Sequence, residues 1–171
     1  SKGQILIDGI DIRDYDLNWL RSKIGIVMQD VFLFSDSIQN NISLLNDKLP
    51  SKVIQNAARE LGAVSFIDKL PGGIDFHVQE RGSVLSTGQR QLISFIRAYA
   101  YQPSILVLDE ATSSVDSETE DLITTATQKL TARTTSIVIA HRLATIQNAD
   151  RIIVLEKGKI VEEGNHKNLL N

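Results

Sequence analysis

One stretch of the sequence, residues 85–116, constrains the fold of this 171-residue chain more than any other; it reads LSTGQRQLISFIRAYAYQPSILVLDEATSSVD. It opens with a small polar turn around Gly88 and continues with apolar residues at helical spacing. After Pro103 comes a short apolar run, ILVL, which is partly β-branched and therefore favours a buried strand over more helix. The pattern predicts a polar loop, a helix and a strand, in that order.

The predicted strand ends in two adjacent carboxylates, Asp109 and Glu110. Like charges about 4 Å apart repel by about 4 kcal/mol at an effective dielectric constant near 20, so we expect a cation beside them. Because successive strand residues point to opposite faces, one carboxylate can face a magnesium ion while the other faces a water molecule. Acidic residues also end strands by chance and face solvent, and the acid pair alone does not separate these interpretations.

Taken together, these features resemble the nucleotide-binding domain of ABC transporters. The turn LSTGQ is similar to the LSGGQ signature of that family, with Thr87 in place of the middle glycine. The run ILVLDEATSSVD is similar to its Walker B strand, catalytic glutamate and D-loop. A serine-glycine turn before a helix is by itself a weak signal, most often only an N-cap, but its spacing to LVLDEATSSVD makes it specific.

The resemblance implies a role for each of these residues. Asp109 supports the Mg²⁺ shell, Glu110 orients or deprotonates the attacking water, and Asp116 lies in the D-loop that touches a partner domain. Such domains work as head-to-tail dimers, so the signature addresses the γ-phosphate of ATP held by a second nucleotide-binding domain. The nucleotide-binding residues implied there are Ser86, Thr87, Gly88 and Gln89. A helix N-terminus with free backbone N–H groups is a ready anion site, which agrees with this role.

Two further residues follow predicted strands. Gln29 ends an apolar strand expected at 24–28, and His141 ends the run SIVIA. Strands joined by a helix tend to be parallel neighbours, and functional residues gather at their carboxyl ends, so we expect Glu110 and His141 at one edge. The resemblance makes Gln29 the Q-loop glutamine, which binds Mg²⁺ or one of its ligands, and His141 the H-loop histidine, which contacts the γ-phosphate. From the residues alone, a solvated glutamine and a polar strand cap remain alternatives.

Composition excludes several classes of function. The net charge is -3 and no basic face is evident, whereas nucleic-acid binding needs clustered Lys and Arg, so we expect no nucleic-acid partner. Zero cysteines exclude disulfides and thiolate metal sites within the chain. No apolar run approaches the roughly 18 to 20 residues that cross a bilayer. Membrane association is therefore expected only through another chain or domain.

The start of the chain predicts a hairpin, because residues 4–13, QILIDGIDIR, alternate isoleucines around Asp8 and Gly9. In the family this hairpin follows the P-loop, G-x-x-x-x-G-K-[ST], whose backbone cradles phosphates. That motif does not occur in the sequence. We therefore expect a nucleotide-binding domain that lacks its N-terminal P-loop part, and we expect the isolated chain not to hydrolyse ATP.

Two segments are expected to meet a transmembrane domain. Residues 31–42 are similar to the exporter segment that forms a groove for a coupling helix, although aromatic residues such as Phe32 and Phe34 more often pack a core. Residues 79–82, QERG, resemble the X-loop of exporters. His77 has no acidic or histidine neighbour in sequence, and in a chain with three histidines it is interpreted as a surface imidazole rather than a metal ligand.

The region between these segments is expected to be helical. One helix should begin at Ser51 as its N-cap and end at Gly62 as its C-cap, with apolar positions on one stripe. A second, short helix should include Val64, Phe66 and Ile67.

The sequence thus predicts an α/β fold of the P-loop NTPase type, with a mostly parallel core sheet, an inserted helical subdomain and an N-terminal truncation. The expected parts are 1–34 with the hairpin, a core strand and the Q-loop, 35–100 with the helical subdomain and signature, and 101–171 with the remaining core. The resemblance implies an Mg²⁺-dependent ATPase that powers export at the cytoplasmic face of the cell membrane. The alternatives are a soluble ABC-type ATPase and, for the isolated chain, a scaffold without enzyme activity.

Overall fold

The computed structural model describes residues 3–109, 117–140 and 143–170, apart from the side chains of Ser117, Glu118 and Ala144. The helices are α1 (Leu17–Lys23), α2 (Ile38–Ser43), α3 (Ser51–Glu60), α4 (Val64–Ile67), α5 (Thr87–Tyr101), α6 (Ser117–Thr131), α7 (Leu143–Gln147) and α8 (His166–Leu169). The strands are β1 (Leu6–Ile7), β2 (Ile10–Asp11), β3 (Ile24–Val27), β4 (Ile105–Asp109), β5 (Thr135–Ile139), β6 (Ile152–Glu156) and β7 (Lys159–Gly164). Short 3-10 turns cover Ile12–Asp14, Gly73–Asp75 and Glu80–Gly82.

The central sheet is parallel and contains β3, β4 and β5 in that order. Val27 pairs with Leu108, and Leu108 pairs with Val138, so the carboxyl ends of the three strands lie side by side. This confirms the predicted α/β class with a parallel core sheet, and it confirms that β4 and β5 are neighbours.

Two antiparallel hairpins accompany the sheet, β1 with β2 and β6 with β7. In the first hairpin Asp8 and Gly9 have positive φ values of 50° and 82°, as the favoured two-residue hairpin turn requires. The predicted N-terminal hairpin is therefore confirmed.

The apolar core lies on one face of this sheet, where α5 packs against α2, α3, α6 and β3. Leu92, Ile93 and Ile96 of α5 are completely buried, as is Leu106 of β4. Removing such side chains from water stabilises a fold by about 1.5–3 kcal/mol each. This packing fixes α5, and with it the polar turn at its N-terminus, relative to the sheet.

The other face of the sheet is open among the described residues. Ile26 is 58% exposed, Ile137 59% and Ile139 52%. The run SIVIA, a predicted strand, therefore forms β5 with one face exposed. An apolar run in the sequence favours a buried strand, but it does not show whether another segment of the described chain packs against both of its faces.

The helix α2 begins within residues 31–42, where no helix is predicted from the sequence. Its start is marked by Ser37, whose Oγ accepts a hydrogen bond from the Asn40 N–H at 3.0 Å. Its last turn is held from outside: Arg97 Nε donates to the Asn41 carbonyl at 2.9 Å, and the Tyr101 hydroxyl donates to the Ser43 carbonyl at 2.5 Å. Two carbonyls that the helix end leaves without intrahelical donors are thus satisfied by α5. Burial lowers the pKa of Arg97.

Asn41 forms the polar centre of this region, since it is fully buried and hydrogen-bonded to backbone groups. Its Oδ1 accepts from the Phe34 N–H at 2.8 Å, and its Nδ2 donates to the Phe34 and Ser37 carbonyls, both at 3.0 Å. The side chain therefore pins the segment before α2 onto the helix.

Replacing Asn41 by leucine is expected to lower the free energy of unfolding by about 1–3 kcal/mol, because the backbone groups of Phe34 and Ser37 lose their partner. Urea unfolding of the purified chain measures this as a lower midpoint. Asn56→Leu, at an exposed position of α3, is the matched control and is expected to change stability by no more than about 0.5 kcal/mol. Equal midpoints for the two variants would contradict the assignment.

The helix predicted to begin at Ser51 forms, but the predicted cap is wrong. Pro50 is the N-cap and makes no side-chain cap hydrogen bond, whereas the Ser51 Oγ donates to Gln39 Oε1 at 2.6 Å. Proline is pre-organised for a helix start, and its lack of an N–H costs nothing there. The C-cap is Leu61, one residue earlier than predicted, and Gly62 follows it with a positive φ of 71°. The short helix predicted around Val64 is confirmed as α4.

Candidate functional site

The carboxyl edge of the central sheet brings two predicted site residues to neighbouring strands. Asp109 is the last residue of β4, and Gln29 follows β3 by two residues and is exposed. The parallel pairing of Val27 with Leu108 sets these two strand ends side by side. Both predicted metal-binding residues therefore lie at one edge. The other predicted residues of this region, Glu110, Asp116 and His141, lie outside the described residues.

The N-terminus of α5 carries the signature residues in a capping box. Ser86 is the exposed N-cap, and its Oγ accepts from the Gln89 N–H at 3.2 Å. In return, Gln89 Oε1 accepts from the Ser86 N–H at 3.0 Å. A serine followed three residues later by glutamine, before an apolar run, is the sequence pattern typical of a capping box.

The capping box leaves hydrogen-bond donors directed out of the helix. Helix geometry gives the N–H groups of Thr87 and Gly88 no carbonyl within α5 to bond. The Ser86 hydroxyl accepts in the box and keeps its own hydrogen to donate, and the Gln89 amide keeps its NH₂ group. Together with the positive end of the helix dipole, these groups suit an anion.

A cleft of about 340 Å³ is lined both by the segment after β3 and by the N-terminus of α5. Its lining comprises Gln29, Asp30, Val31, Arg81, Ser83, Thr87 and Arg90. The structure thus brings the predicted Q-loop glutamine and the predicted signature threonine to the same cleft. The lining includes two arginines, Arg81 and Arg90, and one acidic residue, Asp30, so its formal charge is net positive.

Arg90 is a residue that the sequence reasoning missed. Its Nη1 donates to the Leu85 carbonyl at 2.7 Å and to the Gly82 carbonyl at 3.5 Å, and its Nη2 donates to Thr87 Oγ1 at 3.1 Å. The one signal for it in the sequence is a cation in the first turn of a predicted helix, where the helix dipole disfavours positive charge.

Gln91 was missed as well. It is 3% exposed, and among the described residues its buried Nε2 has no hydrogen-bond partner. A cavity of about 10 Å³ beside it, roughly the size of one water molecule, is also lined by Asp109 and Thr127. A buried polar group therefore lies next to the end of β4.

The donor set at the sheet edge fits magnesium. Mg²⁺ prefers oxygen ligands and is usually bound by one or two carboxylates, with water and substrate phosphate supplying the rest. Asp109 offers a carboxylate and Gln29 an amide oxygen. In the part of the chain that the structure describes, no group of three or more His, Cys, Asp or Glu side chains is placed to hold a metal ion. The residues present therefore fit an ion that is shared with a phosphate ligand.

The aromatic side chains after Gln29 are exposed rather than packed in the core. Phe32 and Phe34 are 56% and 54% exposed and form an edge-to-face pair with ring centroids 5.1 Å apart. Between them Leu33 is fully buried. The alternative that both aromatic residues serve the core is therefore wrong, and they form a small apolar surface next to the cleft.

Comparison with known families gives a match over residues 1–113 to the family described as ABC transporter. Among curated proteins, the chain is 52% identical over 170 residues to the probable multidrug resistance ABC transporter ATP-binding/permease protein YheH of Bacillus subtilis, covering 99% of this chain. It is 50% identical over 171 residues to the alpha-hemolysin translocation ATP-binding protein HlyB of Escherichia coli, covering 100% of this chain. The chain spans 25% and 24% of the lengths of these two relatives.

Among solved structures, the fold is similar to a bacterial Atm1-family ABC exporter with ATP bound. The TM-score is 0.88 at 41% sequence identity, and the match covers 99% of this chain and 30% of the other. The similarity therefore extends over the sheet edge, the α5 N-terminus and the cleft together.

Proposed function

The chain belongs to the ABC transporter family, and from that premise we propose that it is the ATP-binding and ATP-hydrolysing part of an exporter. The longer protein that contains it is called the parent protein below. The observation that carries the proposal is the sheet edge, where Asp109 ends β4 beside the strand that leads to Gln29. Proteins of the α/β class bind ligands at the carboxyl edge of the parallel sheet, and Asp109 lies at this edge.

The residues at this edge divide the chemistry between them. Asp109 and Gln29 hold Mg²⁺, which supplies charge neutralisation on the phosphates when bound. Glu110 positions the attacking water and accepts its proton, and His141 holds that water against the γ-phosphate. Catalysis then comes mostly from positioning and charge stabilisation of an in-line attack on the γ-phosphate.

The α5 tip serves the nucleotide of a second domain. Ser86, Thr87, Gly88 and Gln89 bind the γ-phosphate across a head-to-tail dimer, and Asp116 contacts the partner domain. The exposed Ser86 and the outward donors of the capping box support this arrangement. ATP then joins two domains, and its hydrolysis releases them.

The transmembrane domain is the second partner. The exposed pair Phe32 and Phe34 and the adjacent turn at residues 79–82 support a docking surface for it. Among the residues that the structure describes, no helix is both long and apolar enough to span a bilayer. The names of the relatives, which include an ATP-binding/permease protein, support a location at the cytoplasmic face of the cell membrane.

The isolated 171-residue chain is expected to show no Mg²⁺-dependent ATPase activity, because its sequence contains no P-loop to bind the β- and γ-phosphates. Phosphate release by the purified chain, compared with the parent protein under the same conditions, measures this. The expected result is turnover by the parent protein alone. Turnover above background in a clean preparation of the chain would contradict the expectation, and an inactive parent protein would contradict the proposed function.

A soluble ABC-type ATPase is the alternative. In that case the parent protein would hydrolyse ATP but would not sediment with membranes. Membrane fractionation of the parent protein distinguishes the two functions.

A further inference from the structure

The positive charge of Arg90 stands where it destabilises the helix α5. It lies in the first turn of α5, where a cation is unfavourable by about 0.3–1 kcal/mol. Among the described residues, no carboxylate forms an ion pair with it. Its guanidinium is instead engaged by three neutral oxygens, those of Gly82, Leu85 and Thr87. Helix stability therefore does not explain why a cation stands there.

Those three oxygens belong to two segments. The Gly82 and Leu85 carbonyls lie in the turn before α5, here called the 82–85 turn, and Thr87 is the first residue of α5. The planar guanidinium reaches both with fixed geometry, which a lysine ammonium does not reproduce. Arg90 thus ties the 82–85 turn to the helix tip.

The 82–85 turn is also tightly packed on its other side. Gly82 has a positive φ of 67°, and a Cβ there would lie 2.8 Å from Leu33 Cδ1 and 3.1 Å from Arg90 Cδ. Leu33, fully buried, follows the Gln29 segment. The turn is therefore held between Leu33 and the Arg90 stem, and displacement of the turn is transmitted to the first turn of α5.

We propose that Arg90 is a positioning residue that fixes the 82–85 turn to the tip of α5, so that the signature residues meet the nucleotide of the second domain in one orientation. This inference rests on the proposed function. Thr87 takes part through its hydroxyl, which a glycine at that position would not supply. Arg90 itself acts through these contacts and not on the nucleotide.

The test uses the parent protein and separates positioning from charge. Arg90→Lys keeps the charge and loses the fixed hydrogen bonds, and it is expected to lower kcat about ten-fold, the size of one hydrogen bond to a charged group. Binding of a fluorescent ATP analogue without turnover is expected to stay within about two-fold, since in the proposed head-to-tail dimer the signature meets the nucleotide of the second domain and not the ATP that its own domain's P-loop holds. Arg59→Lys, at an exposed position of α3, is the matched control and is expected to leave kcat unchanged.

A double-mutant cycle adds a measurement whose expected result would not arise from a loss of folded protein. Thr87→Val alone is expected to lower kcat by about three-fold. Combined with Arg90→Lys it should add nothing further, because the bond it removes is already lost. Thr87→Val carries the test by itself if Arg90→Lys does not fold.

Three outcomes would overturn the inference while leaving the proposed function intact: a wild-type kcat for Arg90→Lys, a parallel loss of kcat and ATP affinity, or additive losses in the double variant. If Arg90→Lys does not fold, a wild-type kcat for Thr87→Val overturns it. A wild-type parent protein without Mg²⁺-dependent turnover would overturn the proposed function, and this inference with it.

Discussion

Turnover by the parent protein is expected to fall by about 10²- to 10⁴-fold when Glu110 is replaced by glutamine, the range that a positioned general base contributes. Glutamine has the size of glutamate and still accepts a hydrogen bond, but it does not take the proton of the attacking water. ATP binding is expected to persist, because Asp109 remains to hold Mg²⁺ and successive residues at a strand end face opposite sides. Phosphate release and an equilibrium titration with a fluorescent ATP analogue measure the two properties separately.

The control for Glu110→Gln is Glu162→Gln, which removes an equivalent carboxylate from an exposed position of β7. It is expected to turn over at the wild-type rate. Loss of ATP binding by Glu110→Gln would argue that this carboxylate holds the metal or the nucleotide, and it would count against the water-activating role.

Dimer formation on addition of ATP is expected to disappear when Ser86 is replaced by arginine. The larger side chain covers the outward donors of the α5 tip, and it removes the N-cap, which costs about 0.5–2 kcal/mol. The measurement is sedimentation velocity, with and without ATP, of the nucleotide-binding domain extended at its N-terminus through the P-loop. The expected profile of Ser86→Arg with ATP equals the wild-type profile without it.

Ser65→Arg places the same side chain at an exposed position of α4 and is the matched control. It is expected to dimerise with ATP as the wild type does. If Ser86→Arg forms an ATP-dependent dimer at the ATP concentration at which the wild type dimerises, the proposed role of the α5 tip is contradicted.

Local patterns in the sequence were sufficient to predict several elements and one edge of the candidate site. The Asp8-Gly9 turn, the helix that follows the polar turn around Gly88 and the strand that ends at Asp109 each depend on neighbours within a few residues. The pairing of β4 with β5 follows because one helix joins them.

Features that depend on distant segments were not predictable in this way. β3 pairs with β4 although helices α2 to α5 separate them in sequence. Arg90 gains its role only once the 82–85 turn folds back on it, and the exposure of Ile137 depends on what packs against β5. The division of the chain at residues 34 and 100 stays a prediction, and so do the roles of all the site residues, including those that the structure describes.

The proposed dimer places Ser86 of one domain and Glu110 of another at the same nucleotide site. Joining two parent chains covalently, with the two substitutions in different arrangements, tests this placement. With Ser86→Arg in one chain and Glu110→Gln in the other, a head-to-tail dimer collects both defects in one site and keeps the second site intact. With both substitutions in the same chain, each site carries one defect.

The measurement is Mg²⁺-dependent phosphate release by the two joined pairs at equal protein concentration. We expect clear turnover when the substitutions are in different chains and near-background turnover when they are in the same chain. Equal rates, or the reverse order, would contradict it.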